Sequence, residues 1–272
     1  MRNYRQNPTT MSKNKIFRSL LIIFAFCIYK YQKYIYAYGF FGRENWNNLN
    51  ELISLSIVVF TGLILALTVN YVIHKKLSFA ELGLKTGFWK GLLWGFVFTL
   101  PMFIGLPILV DFKLDFSFEI IYKALFLAGF GEEFVFRAFL FGLLFYYAGW
   151  GFLPAGIFTG LFFGAGHLYQ AENISSAIAI FLFTTGASLG FAWFYYAWKS
   201  LWMVVFLHGF MDLAWDMSIN DELASNVLGS PWVNIFRFST LIFAIVFSVF
   251  YSKKIGTYDL KSKLWVNKSY FS

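Results

Sequence analysis

Charge is what this chain has least of: Asp, Glu, Lys and Arg make up 13% of its 272 residues, against 59% hydrophobic. Soluble domains carry about 25% charged and about 45–50% apolar residues. A chain with this balance cannot cover a water-exposed surface, so an ordinary soluble globule is excluded and bilayer is the solvent for most of it. Cysteine is nearly absent too. The single Cys27, inside an apolar segment, excludes an internal disulfide and a Cys-rich zinc site. No small-x-small cleavage site follows the first apolar stretch, and the polar lead to Arg18 is long, which argues against a cleavable signal peptide. There is no internal repeat, no low-complexity region and no soluble second domain.

What the chain has instead is aromatic, apolar and unevenly basic. Aromatics reach 23%, with 37 Phe, suiting lipid-facing and helix-packing surfaces. The net charge of +8 gathers in loops and tails that flank apolar spans. That is the positive-inside pattern rather than a phosphate-tracking groove, so no nucleic-acid partner is expected. Eight candidate spans follow, at about 17–38, 51–73, 89–110, 117–147, 153–169, 175–197, 200–216 and 232–252, each near the roughly 20 residues that cross the hydrocarbon. Lys30 and Lys33 interrupt the first, and Pro101 and Pro107 predict a kink or early end in the third.

The fold class expected is therefore all-α, a polytopic membrane bundle of about eight transmembrane helices. An N-terminal tail covers 1–16, a membrane-embedded domain 17–252, and a basic C-terminal tail 253–272. Arg2, Arg5, Lys13, Lys15 and Arg18 lead the first span; Lys75, Lys76, Lys85 and Lys90 lie between the second and third; Lys253, Lys254, Lys261 and Lys263 follow the eighth. The alternate connections are neutral or acidic, with Arg43, Glu44 and Glu51, then Asp111, Lys113 and Asp115, then Asp216, Asp221 and Glu222. An even span count with this alternation places both termini in the cytoplasm. The Phe- and Asn-rich style suits the plasma membrane of a bacterium.

Against this background one stretch stands out, GFGEEFVFRAF at 129–139, which sets Glu132, Glu133 and Arg137 in an apolar span. An ionisable group at mid-bilayer costs about 2.5–3.5 kcal/mol even on lenient scales, and persists when paired or beside a wet cavity. At about 100° per residue, Glu133 and Arg137 share one helical face at i,i+4, whereas Glu132 points roughly 140° away from Arg137. One carboxylate is thus structural and the other available. Two further spans carry histidine: His167 ends FFGAGHL with Phe163 one turn earlier, and His208 in VVFLHGFMDLAW has Asp212 at i+4. His74, beside Lys75 and Lys76, reads as an interfacial anchor. A lone histidine is more often a helix–helix hydrogen bond than a catalyst, and a Glu–Arg pair more often a staple. A free Glu, two His and an Asp on separate apolar helices meet only inside a bundle, where they suit polarising water and a carbonyl, or ligating zinc. Proton or ion transport is a competing reading, without an inverted repeat or further acidic relay to carry it.

Glu132-Glu133-x-x-x-Arg137, Phe163-x-x-x-His167 and His208-x-x-x-Asp212 resemble the three ordered motifs of the CAAX prenyl protease 2 / bacteriocin-processing (CPBP, or Abi) intramembrane proteases. The resemblance covers about 81–216, with LSFAELGL at 77–84 similar to the segment before that family's core. It implies an endopeptidase acting on membrane-associated or prenyl/leader-type peptides, its partners being a peptide or protein substrate in or at the membrane and the bilayer itself. Glu132 and His167 would activate water, and His208 with the residue at 212 would bind the oxyanion. The family's third motif often ends in Asn, whereas this chain has Asp212. An ionised carboxylate cannot donate to an oxyanion; Asp212 is then protonated, orients His208, or binds a metal. Metal-independent attack by Glu-activated water is the chemistry expected, so no cofactor is assigned; zinc, with Glu132, His167, His208 and Asp212 as candidate ligands, is the alternative. A non-catalytic bacteriocin-immunity or scaffold protein of the same fold is the second functional reading. Helical rise puts Glu132 about 22 Å and His208 about 13 Å from the cytoplasmic ends of their helices, a site near mid-membrane leaning away from the cytoplasm.

Overall fold

The computed structural model describes residues 8–39, 48–75, 78–218, 226–257 and 259–267. Arg2, Arg5, Arg43, Glu44, Lys76, Asp221 and Glu222, used in the charge argument, lie outside them. The described chain is helical, and its one β-type contact is an isolated antiparallel bridge between Trp150 and Val266. Eight helices occupy the positions of the eight apolar stretches: α1 (Pro8–Gly39), α2 (Asn48–His74), α3 (Phe88–Leu109), α4 (118–147), α5 (Phe152–Ala165), α6 (Ile174–Trp198), α7 (Leu201–Asp216) and α8 (Pro231–Lys254).

Five segments combine the length and apolarity needed to cross a membrane: Leu49–His74, Phe88–Leu109, Phe152–Gln170, Ile174–Trp198 and Pro231–Lys254. α7, with 16 residues, rises only about 24 Å. Pro101 and Pro107 do not end α3, which runs through both to Leu109; packed neighbours tolerate such breaks in a membrane helix. Large apolar side chains such as Phe24, Phe60, Leu93, Ile104, Leu182, Ile242 and Phe250 are exposed on the outside, as a lipid-facing surface requires.

α4 is the central element. It opens as Phe118–Tyr122, with Ser117 Oγ accepting from Ile120 N at 3.3 Å, and widens to π-type turns over Lys123–Glu132 and Phe134–Gly142. It closes α-helically over Leu143–Tyr147. From Phe134 to Phe145 every side chain is buried, as expected of a helix apolar all round. Small residues set how closely its neighbours approach. Gly129 of α4 faces Gly209 of α7, where an added Cβ would meet the Gly209 Cα at 2.9 Å. Gly91 and Gly95 likewise let α3 lie against the α7 backbone at Trp202 and Phe206. These contacts bring α7, and with it His208, against the charged segment of α4.

Candidate active site

Helix α4 turns Glu133 inward and Glu132 to a cavity. Glu133 is fully buried, with Oε1 2.9 Å from Arg137 Nη1 on its own helix and 2.6 Å from His208 Nδ1 on α7. The Arg137 contact is an ion pair off the hydrogen-bonding direction, and Glu133 Oε2 has no hydrogen-bond partner. Arg137 also lies over aromatic rings, 4.6 Å from Phe163 and 5.3 Å from Phe191. Glu132 makes no hydrogen bond or ion pair among the described residues, and its side chain lines the cavity. The helical separation of the two carboxylates is thus present in the fold. Arg137 reaches the cavity wall as well, and the bond from Glu133 to His208 is an addition that the sequence did not announce.

His167 lies just past the α5 terminus at Ala165, in a turn that leads to a 3-10 segment at Leu168–Gln170. The helix expected to 169 therefore stops a few residues earlier, at Gly164-Ala165-Gly166. The ring stays close to Phe163, whose carbonyl is 2.9 Å from Nδ1. A carbonyl oxygen only accepts, so Nδ1 carries the proton, and Nε2 of the neutral ring offers a lone pair. On α7, Asp212 follows His208 by one turn, with Oδ2 3.4 Å from His208 Nε2, longer than an ordinary N–H···O bond. Since Nδ1 donates to Glu133, Nε2 is the ring nitrogen left to face Asp212 or a ligand.

Glu132, His167, His208 and Asp212 come from four different helical segments or turns — α4, the α5 end and two turns of α7 — and all line one cavity of about 430 Å³. At its exposed end, the mouth, it is lined by Tyr169, 82% exposed, and Gln170 of the α5–α6 turn and by Asn226 and Val227 ahead of α8. Tyr146, Tyr147, Tyr195, Tyr196, Lys199 and Lys263 line a second cavity, of about 230 Å³, at the opposite ends of α4, α6 and α8. His74 packs edge-on against the Tyr147 ring, centroids 4.4 Å apart, away from the first cavity.

Two cavity residues escaped the sequence reading. Asp216, counted there only as a connection charge, ends α7 in the wall. Arg237, buried on α8, lines the same wall, and the cost of a charged residue in an apolar span was the signal that could have found it. Among the described residues no three His, Cys, Asp or Glu side chains are grouped to hold a metal ion. The candidate ligands share a cavity without forming such a group.

Residues 114–214 match the family model described as Type II CAAX prenyl endopeptidase Rce1-like. This segment is similar to that family. It contains Glu132, Glu133, Arg137, His167, His208 and Asp212, and agrees with the resemblance carried by the three motifs. The LSFAELGL stretch at 77–84, Asp216 and Arg237 fall outside it. No curated protein and no solved structure matches the chain. Several apolar helices long enough to span a bilayer, together with this similarity, make this an integral membrane protein.

Proposed function

We propose that the chain is an active intramembrane endopeptidase that cleaves membrane-associated or prenyl/leader-type peptides with a water molecule activated by Glu132 and His167. What carries the reading is the convergence of an unpartnered carboxylate, two imidazoles of defined hydrogen bonding and Asp212 on one cavity. Glu132 takes a proton from water, and the lone pair of His167 Nε2 holds the second hydrogen. The water oxygen attacks the scissile carbonyl carbon. His208 acts as the imidazolium: Nδ1–H is held by Glu133, and Nε2–H donates to the oxyanion that forms. Collapse of this intermediate breaks the C–N bond as Glu132 returns its proton to the leaving amine. Asp212 orients His208, while Glu133 and Arg137 support the ring from the protein side. Site carboxylate and imidazole supply the chemistry, and no metal is assigned to the resting enzyme.

The test is hydrolysis of a membrane-peptide library by purified protein in ¹⁸O-water, with and without a chelator. The reading predicts one solvent oxygen in each new C-terminal carboxylate, at a rate the chelator leaves unchanged. Absence of labelled products sinks the endopeptidase reading; labelled products that vanish with chelator, alongside one bound zinc per chain, sink the metal-free assignment.

A further inference from the structure

Helix α8 brings into the cavity a cation that the proposed chemistry does not use and the family match does not cover. Arg237, near the start of α8, is 5% exposed and lines the cavity. Its guanidinium lies 4.2 Å from the Trp215 ring centroid and 5.3 Å from that of Phe183. Nη1 donates to Val227 O at 2.8 Å, and Val227 N donates to Gln170 Oε1 at 2.9 Å. Both connections at the mouth thus hold the group in place. Gly229, at φ +66°, closes the turn beside it: a Cβ there would fall 2.6 Å from Trp215 Cη2 and 3.3 Å from Arg237 Nη2.

For all this support, no described carboxylate lies close enough to pair with the guanidinium, and Asp212 attracts it only at longer range. Among the described residues Val227 O is the one acceptor it meets. A buried cation with unspent donors is costly in a membrane bundle. Nε and Nη2 make no hydrogen bond among the described residues, and these are donors with which a guanidinium grips a carboxylate.

We propose that Arg237 binds a carboxylate of the peptide that occupies the cavity, and so determines which peptides are cut; this rests on the endopeptidase reading. Glu132, Asp212 and Asp216 line the same cavity, and their charge disfavours a dianionic phosphate more than a singly charged carboxylate. The carboxylate is either a peptide C-terminus or an acidic side chain, and the probes separate the two.

Binding of four probes to the purified full-length protein in detergent is measured calorimetrically: N-acetyl-Leu-Phe with a free C-terminus, its C-terminal amide, N-acetyl-Asp-Phe amide, and inorganic phosphate. A charge-assisted pair predicts that wild type binds a carboxylate probe about tenfold more tightly than the uncharged amide. The free C-terminus or the Asp probe, whichever wins, names the source. Arg237→Gln should erase the preference and Arg237→Lys should retain part of it. Glu132→Gln should lose cleavage and still prefer the carboxylate probe, so cleavage that survives in this variant with the preference intact counts against the catalytic reading alone. Equal binding of acid and amide by wild type, a stronger response to phosphate, or a preference that survives in Arg237→Gln overturns the anion site. The wild-type comparison of acid with amide decides the matter even where Arg237→Gln fails to fold.

Discussion

Glu133 Oε1 and His208 Nδ1 lie 2.6 Å apart across the α4–α7 contact, and Glu133 is fully buried. A carboxylate on one helix thereby sets the ring orientation of a histidine 75 positions later in the chain. His208 then presents Nε2 to the cavity, where Asp212 and any ligand compete for it.

The same carboxylate depends on Arg137. Replacing Arg137 with Ala leaves a buried charge short of its partner, and should destabilise the protein by about 3–5 kcal/mol. Folded yield in detergent and thermal unfolding would register this as a large loss. The double change Arg137→Ala with Glu133→Gln should recover part of it. Wild-type stability in the single variant would mean that the pair contributes little.

Asp212 offers a sharper chemical distinction. If its role is to orient His208, Asn can substitute, since the amide still accepts or donates at Nε2 and can also reach the oxyanion. Asp212→Asn should keep cleavage within about tenfold of wild type, whereas Asp212→Ala should lose about 10²-fold, the scale of a missing oxyanion contact. Kinetics of both variants on one peptide decide it; an Asn variant as inactive as the Ala variant would show that the carboxylate charge is essential.

Much of this architecture was legible in hydropathy. Each of the eight apolar stretches became a helix with ends within a few residues, except α1, which begins at Pro8 rather than near 17. The Glu133–Arg137 pair followed from helical spacing alone, because i,i+4 neighbours meet whatever surrounds them. Contacts between helices were not legible in the same way. Nothing local to Glu133 points to His208, since the Gly129–Gly209 approach that joins them is a tertiary fact. The widening of α4 to π-type turns has no signature in an apolar run, and His167 left its helix early at a Gly-Ala-Gly stretch. Arg237 was readable but overlooked, because an average of hydropathy over its span hides one charge.

The cavity mouth and the basic connections belong to opposite ends of the bundle. Tyr169 lies at the mouth and is 82% exposed, while Lys199, at the far end of α6, is also exposed. The excess of lysine at the far end predicts that it faces the cytoplasm and that the mouth opens to the other side. In a Cys27→Ser background, an impermeant maleimide applied to sealed inside-out vesicles should label Lys199→Cys and spare Tyr169→Cys, with the reverse in right-side-out vesicles. Labelling of both from one side would contradict the arrangement.

The central claim is that Glu132 is the group that activates water, and a comparison of membrane peptides tests it most directly. Cells lacking the gene are complemented with wild type or with Glu132→Gln at matched expression, and uncut precursors are quantified by mass spectrometry. Loss of a general base costs about 10²–10⁴-fold in rate, so wild type should clear the precursors and Glu132→Gln should leave them at the level of the deletion. Clearance by Glu132→Gln equal to that by wild type would contradict the account and favour a protein that acts by binding alone.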